Sequence, residues 1–107
     1  MTTIVSIDKG IIMAGYHIER EMQEPGEHVR GWRMVLGLTA QQVSERASIT
    51  RDTLRRIERG EPGVSWGNVG QVLRAIGALD GVVDAVDPLH SDIGRLRAGK
   101  LPKRRAR

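Results

Sequence analysis

Four arginines and one aspartate fall within residues 51–59, near the middle of the chain: Arg51, Asp52, Arg55, Arg56 and Arg59. A guanidinium group can donate paired hydrogen bonds to phosphate or to guanine, and a carboxylate can accept one from the cytosine amine. A row of arginines is also common on the solvated face of a helix. The elements around the row therefore decide what it does.

Several other chemistries lack the residues they need. The chain of 107 residues has no cysteine, which excludes disulfides, thiolate metal sites and thiol nucleophiles. Its three histidines, His17, His28 and His90, are scattered and show no metal-ligand spacing. No phosphate loop, Ser/His/Asp arrangement or paired-carboxylate cleft can be read from the sequence. We therefore expect no cofactor, no metal and no enzymatic activity.

The charge is unevenly distributed. The formal net charge is +4, yet residues 1–88 sum to −2 and residues 89–107 to +6, while residues 28–63 carry +3. Charge thus favours an anionic partner for the middle segment and the C-terminus alone. The longest apolar stretch, Ile4 to Ile18, contains Asp8 and Lys9, is too short to span a bilayer and lacks signal-peptide order. We expect a cytoplasmic protein without a membrane partner.

Helical periodicity runs from Pro25 to Gly77 and, with a short fifth helix that Pro88 closes, predicts an all-α domain of five helices over residues 25–88. The first helix carries the apolar stripe Val29, Trp32, Arg33 and Leu36 and stops at Gly37. The next three are predicted over residues 40–47, 51–59 and 66–76, with Thr39, Thr50 and Ser65 as their N-caps. A fifth is predicted over Asp80–Val86. Val43, Ala47, Leu54 and Ile57 are expected in the core, together with Val69, Val72, Leu73 and Ile76.

The two ends of the chain have different patterns. Residues 1–24 are predicted to be an N-terminal arm, in which Thr2–Ile7 and Ile11–Ile18 are β-rich runs around a turn and are compatible with a hairpin. A lone hairpin is marginal in water. Residues 89–107 form a basic tail, and we expect its end, residues 100–107, to be disordered because this end has nothing to bury.

Two capped helices joined by a three-residue turn outline a helix-turn-helix. The residues that make the outline specific are Arg33, Gly37-Leu38-Thr39, Gln42-Val43, Ala47, Ile49-Thr50, Leu54, Ile57-Glu58 and Gly60. Over residues 28–79 this order resembles the XRE family of phage-repressor-like regulators. Gly60 to Ser65 and the following helix look most like the HipB-type antitoxin branch. Two positions depart from the family pattern: Ala40 replaces a glutamine, and Ser48 replaces the glycine of the turn.

Arg33 and Glu58 both fall on the inner sides of their helices. Two opposite charges that face one core are costly unless they pair. In the XRE family these positions form an ion pair that ties the first helix to the reading helix, here residues 51–59. The alternative is that both side chains extend outward at the edge of the stripe.

The resemblance also assigns contacts. The base-reading residues are expected to be Arg51, Asp52 and Arg56, because the N-terminal part of a reading helix enters the major groove. Asp52 alternatively stabilises the N-terminus of its own helix. The phosphate contacts are expected from Arg30, Thr39, Gln41, Gln42, Thr50, Thr53, Arg55 and Arg59. Trp32 and Trp66 are expected to be packing residues rather than stacking platforms for bases.

The resemblance implies a bacterial, nucleoid-associated repressor that binds a double-stranded DNA operator as a homodimer, with a place in a toxin–antitoxin operon as the narrower expectation. The alternative is an antitoxin module whose main role is to bind a HipA-like kinase toxin, with DNA binding secondary. An RNA-associated domain is disfavoured because no aromatic stacking face is evident. The tail residues Lys103, Arg104, Arg105 and Arg107 would either neutralise phosphates or dock on the protein partner.

Overall fold

A computed structural model describes residues 18–103, which contain helices and no strand. The α-helices are α1 (Gln23–Val35), α2 (Ala40–Ala47), α3 (Arg51–Glu58), α4 (Trp66–Ala75), α5 (Leu79–Val86) and α6 (Asp92–Leu96). Residues 18–21 form a helical turn before α1, and two 3-10 turns lie at Pro88–His90 and Ala98–Lys100. The prediction of an all-α fold is confirmed for this part of the chain.

The core lies between α1, α2, α3 and α4. Helix α1 packs against α3, and α2 packs against both α3 and α4. The buried apolar side chains are those of Val29, Val43, Ala47, Leu54, Ile57, Val72 and Ile76. Val69 and Leu73 are partly buried against this cluster. The core is small, so few apolar contacts hold each helix in place.

Side-chain caps set where three helices begin. The Thr39 hydroxyl accepts a hydrogen bond from the Gln42 amide at 3.0 Å, and the Gln42 side chain accepts one from the Thr39 amide at 2.8 Å. The Thr50 hydroxyl accepts from the Thr53 amide, and the Ser65 hydroxyl accepts from the Asn68 amide. Each cap satisfies backbone donors that the first helical turn leaves without partners. The predicted starts of α2, α3 and α4 are confirmed.

The structure differs from the prediction near both ends of the described chain. The proposed N-terminal hairpin lies outside the described residues except for Ile18, which is helical and not extended. Helix α1 begins at Gln23, inside the predicted arm. Residues 89–100, the first part of the basic tail, are largely helical: they contain α6, the second 3-10 turn and most of the first. Local bonds explain this order, since the Ser91 hydroxyl accepts from the Gly94 amide and caps α6. Residues 104–107 lie outside the described part.

The prediction that Trp32 packs in the core is wrong, whereas Trp66 was expected to cover an end of the core or a dimer contact. Trp32 is 52% exposed and Trp66 is 80% exposed, and Leu36, on the same predicted stripe as Trp32, is exposed as well. The buried face of α1 is narrower than the stripe because it is formed by Gly26 and Val29. Trp32 lies beside this face, at the wall of a groove.

Two glycines allow α1 and α3 to approach closely. A Cβ on Gly26 would lie 2.7 Å from the carbonyl oxygens of both Ile57 and Glu58. Gly60 follows α3 with φ +76°, and a Cβ there would lie 2.3 Å from the carbonyl oxygen of Met22. Backbone meets backbone at both places, so neither contact can be relieved by rotating a side chain.

An ion pair joins the same two helices. The Arg33 Nε donates to Glu58 Oε2 at 2.7 Å, and Arg33 Nη2 donates to Oε1 at 3.0 Å. Arg33 Nη1 also donates to the Leu38 carbonyl at 3.4 Å. The two side chains are only 14% and 10% exposed. The hydrogen bond and the charge of Glu58 raise the pKa of Arg33 although burial opposes them, so the guanidinium stays charged in the folded protein.

Glu58→Ala is expected to destabilise the fold by about 3–5 kcal/mol, because it leaves the Arg33 charge enclosed without its partner. Glu45→Ala removes an exposed carboxylate from α2 and is expected to cost less than about 1 kcal/mol. Urea unfolding of both variants measures the difference. Equal effects on stability would show that the Arg33–Glu58 contact contributes no more than a surface pair.

Gly26→Ala and Gly31→Ala place the same methyl group on the same helix. At Gly31 the methyl meets nothing within 4 Å, so alanine should stabilise α1 by about 0.5–1 kcal/mol. At Gly26 it meets the α3 backbone, and overpacking should cost about 1–3 kcal/mol. Thermal unfolding gives both values. Stabilisation by both substitutions would contradict the close approach of α1 and α3.

Candidate nucleic-acid interface

Helices α2 and α3 form the helix-turn-helix. Ala47 ends α2, and Ser48 adopts the left-handed conformation at φ 57°, ψ 43°. The Ile49 amide then donates to the Ser44 carbonyl at 3.0 Å, and Thr50 caps α3. Glycine adopts such a turn conformation without the steric cost that a side chain adds, so Ser48 makes the expected turn with some strain.

Helix α3 shows one face to the core and the other to solvent. Leu54 and Ile57 are buried, and Glu58 is held by Arg33. Arg51, Asp52, Arg55 and Arg56 are all exposed on the remaining surface of the helix. An eight-residue helix whose inner side is fixed in this way presents its arginines as one rigid surface. We call this surface the arginine face of α3.

The predicted base readers are partly engaged with neighbours in the free protein. Arg51 Nη1 donates to Gln41 Oε1 at 3.4 Å, which links the N-terminus of α3 to α2. Asp52 contacts Arg55, and its Oδ2 lies 3.1 Å from Arg56 Nε. The carboxylate therefore binds the next two arginines along the helix. Arg56 makes this contact through Nε, which leaves its two terminal nitrogens for another acceptor pair.

Glu61 is a functional candidate that the sequence did not indicate. Its Oε1 lies 4.0 Å from Arg56 Nε, although the two residues are separated along the chain by the turn at Gly60. This turn brings Glu61 back toward α3. Regular helical spacing in the sequence does not reveal the contact. Arg56 thus lies between two carboxylates, Asp52 and Glu61, both about half exposed.

The predicted phosphate contacts divide into two groups. Thr39, Gln42 and Thr50 are used in helix caps, although the capping box takes only the oxygen of Gln42 and leaves its NH₂ group for another acceptor. Gln41 donates to Glu45 at 2.8 Å. Thr39, Gln41 and Gln42 lie at the first turn of α2, whose backbone amides also point outward, and Thr50 lies at the start of α3.

The second group lies along α1 and α3. Arg30, Arg55 and Arg59 line one shallow cleft between these helices, together with Gln23, Glu27 and Glu58. Arg55 also lines a second cleft, whose other walls include Arg51, Asp52 and Ala40. Arg55 therefore lies between the two clefts. Ala40 lines this second cleft at the position where the XRE family, which the sequence resembles, carries glutamine. Thr53 is half-buried beside Thr50, with their hydroxyls 3.0 Å apart.

The predicted tail contacts are mostly outside the described residues. Lys103 is exposed, and Arg104, Arg105 and Arg107 lie beyond the described range. Within residues 18–103, no cluster of three or more His, Cys, Asp or Glu side chains could hold a metal ion. The described helices include none with the length and apolar character needed to cross a bilayer.

Residues 25–86, more than half of the chain, match the family described as a helix-turn-helix domain. The chain belongs to this family, and the match agrees with the XRE-like resemblance at the level of the domain. No similar protein was found among curated proteins, and no similar structure among solved ones. The domain indicates a DNA-binding regulator of transcription, since α2, the Ser48 turn and α3 occupy the motif positions that serve this purpose.

Proposed function

We propose that the protein is a transcriptional repressor that reads an operator sequence through the arginine face of α3. The observation that carries this proposal is the rigid attachment of α3 by Leu54, Ile57 and the Glu58–Arg33 pair, with exposed arginines on the other side. A solvated surface helix needs no such attachment. Specific reading does, because a base-contacting side chain must be placed within fractions of an ångström.

Arg51, Asp52 and Arg56 are the proposed base readers. Arg51 lies in the first turn of α3, which in this motif enters the major groove. Asp52 holds the Nε of Arg56 and leaves its two terminal nitrogens to fork onto guanine O6 and N7. Asp52 also lowers the net charge of the face, which weakens binding wherever its carboxylate meets phosphate instead of a cytosine amine.

Phosphate binding is proposed on both sides of the groove. The start of α2 offers Thr39, Gln41 and Gln42, and the cleft between α1 and α3 offers Arg30 and Arg59 with the shared Arg55. Contacts on the two flanks of α3 would fix its register in the groove. They carry no sequence information themselves.

A homodimer is proposed because one eight-residue helix makes too few base contacts for tight specificity. The C-terminal part of the structure supports this, since α5 buries no residue and the following turns expose large apolar side chains. The exposed set is Val83, Val86, Leu89, Ile93, Leu96 and Leu101. A second copy that covers this surface would give a dimer with two α3 helices, one for each half-site.

The narrower form of the proposal is a repressor that is also the antitoxin of a toxin–antitoxin operon. In the alternative, the main role of the protein is to bind a HipA-like kinase toxin, and DNA binding is secondary. The same C-terminal surface could serve such a partner, since acidic Asp80 and Asp84 lie on α5 beside its exposed valines. Co-expression with the product of the neighbouring reading frame distinguishes the two roles. A stable complex that no longer binds DNA would favour the kinase-binding role.

Selection of bound duplexes from a random pool, at stated salt, tests the central proposal. The expected result is a two-fold symmetric sequence with half-sites about 10–10.5 base pairs apart or a multiple of this, because a dimer places its reading helices one helical turn apart. Selection of a sequence with a single half-site would contradict the dimer but would still support sequence reading by α3. A pool that stays random after selection would contradict sequence-specific binding.

Arg51→Ala is expected to relax the preference at one position of each half-site, at a cost of about 1–3 kcal/mol in discrimination. The matched control is Arg46→Ala, which removes an exposed arginine from the last turn of α2, away from both clefts. Competition binding with single-base operator variants measures both. If the two variants discriminate equally between the operator and its single-base variants, Arg51 does not read a base.

The tail is proposed to strengthen binding without choosing the sequence. Replacing Lys103, Arg104, Arg105 and Arg107 by glutamine should weaken binding to every duplex. It should also flatten the salt dependence by about 0.9 for each phosphate that the tail no longer neutralises. Exchange of the three arginines for lysine is the control and should keep the slope. An unchanged slope after the glutamine replacement would remove the tail from the DNA interface.

A further inference from the structure

An apolar groove of about 530 Å³ lies beside the buried Ile57 of α3. Its walls come from α1, the loop after α3, and α4, and they include Trp32, Pro62, Trp66 and Leu73. Ile57 of α3 also lines it, so the groove lies directly behind the helix that carries the arginines. The DNA-binding proposal leaves this groove without a role.

The groove offers almost no polar group to a ligand. Among its lining side chains only His28 and Glu61 can carry a charge, and each has a neighbour elsewhere. His28 lies 3.4 Å from Glu24, and Glu61 lies 4.0 Å from Arg56. Small-molecule sites are generally apolar with a few converging polar groups that fix the ligand. A groove without free polar groups suits an apolar peptide segment better.

We propose that the groove is the docking site of this chain's own N-terminal segment, residues 4–16. Ile18 and Met22, at the beginning of the described chain, line the groove, so a segment joined to Ile18 starts at the wall of the groove. The segment is rich in large apolar side chains: Ile4, Val5, Ile7, Ile11, Ile12, Met13 and Tyr16. It carries one aspartate and one lysine, which balance in charge. No proline interrupts it.

The reach of the segment fits the groove. Six extended residues, such as Ile11 to Tyr16, cover about 20 Å, whereas packed helices lie about 8–10 Å apart. A tethered segment also competes at an effective concentration on the order of 1 mM. It therefore occupies the groove before a second copy of the chain can do so at micromolar concentration. Docking covers Trp32 and Trp66 and supports Ile57 from behind α3.

Both tryptophans of the chain line the groove, so the intrinsic fluorescence of the protein reports whether the groove is occupied. Replacing Ile11, Ile12 and Met13 by serine in the full chain should shift the emission to the red and raise acrylamide quenching, while helicity stays the same. Replacing Thr2, Thr3 and Ser6 by asparagine is the control and should change neither. Unchanged quenching in the serine variant would overturn the proposal.

Disulfide trapping locates the segment independently, because the native chain has no cysteine. A cysteine placed in turn at positions 11, 12 and 13 is paired with Pro62→Cys, an exposed position in the groove wall. The control partner is Glu45→Cys, which is exposed on α2 and does not line the groove. We expect intramolecular crosslinks with position 62 that do not depend on protein concentration and do not form with position 45. The proposal would be overturned by equal yields with positions 62 and 45 or by the absence of any crosslink. Crosslinks that form only between chains would also overturn it, because they would assign the groove to a second copy.

Discussion

The Arg33–Glu58 ion pair is the constraint on which the arrangement of this domain depends. It joins α1 to the last residue of α3 through two short hydrogen bonds in a nearly enclosed space. A pair of this kind contributes less as net stability than as geometry, because desolvation offsets much of its attraction. Its effect is to fix one orientation of α3, together with the backbone approach that Gly26 and Gly60 permit.

The charges on α3 are balanced rather than simply positive. Asp52 binds two of the arginines, and Glu61 approaches Arg56 from the turn that follows the helix. A face of unpaired arginines would bind any duplex through its phosphates. In the proposed complex the carboxylates would compete with DNA for the same guanidinium groups, so binding would gain most where the bases offer better partners than Asp52 and Glu61. This balance favours sequence-dependent over general attraction.

The parts of the structure that could be predicted from the sequence are those determined by interactions between residues close together in the chain. Thr39, Thr50 and Ser65 cap helices because their hydroxyls lie three residues before the amides that they accept from, and such spacing is visible in the chain. The exposure of Trp32 was not predictable in this way, because it depends on how closely Gly26 brings α3 to α1. The position of Arg55 between two clefts and the return of Glu61 likewise require the packed arrangement of three helices.

Amide chemical-shift mapping during titration with a selected duplex, at physiological salt, tests the account most directly. The account predicts the largest changes at residues 51–56 and at residues 39–42, where the arginine face and the start of α2 lie. It predicts little change along α4, behind α3. Changes confined to α5 and to residues 88–101, with residues 51–56 unaffected, would contradict the claim that α3 is the DNA-binding surface.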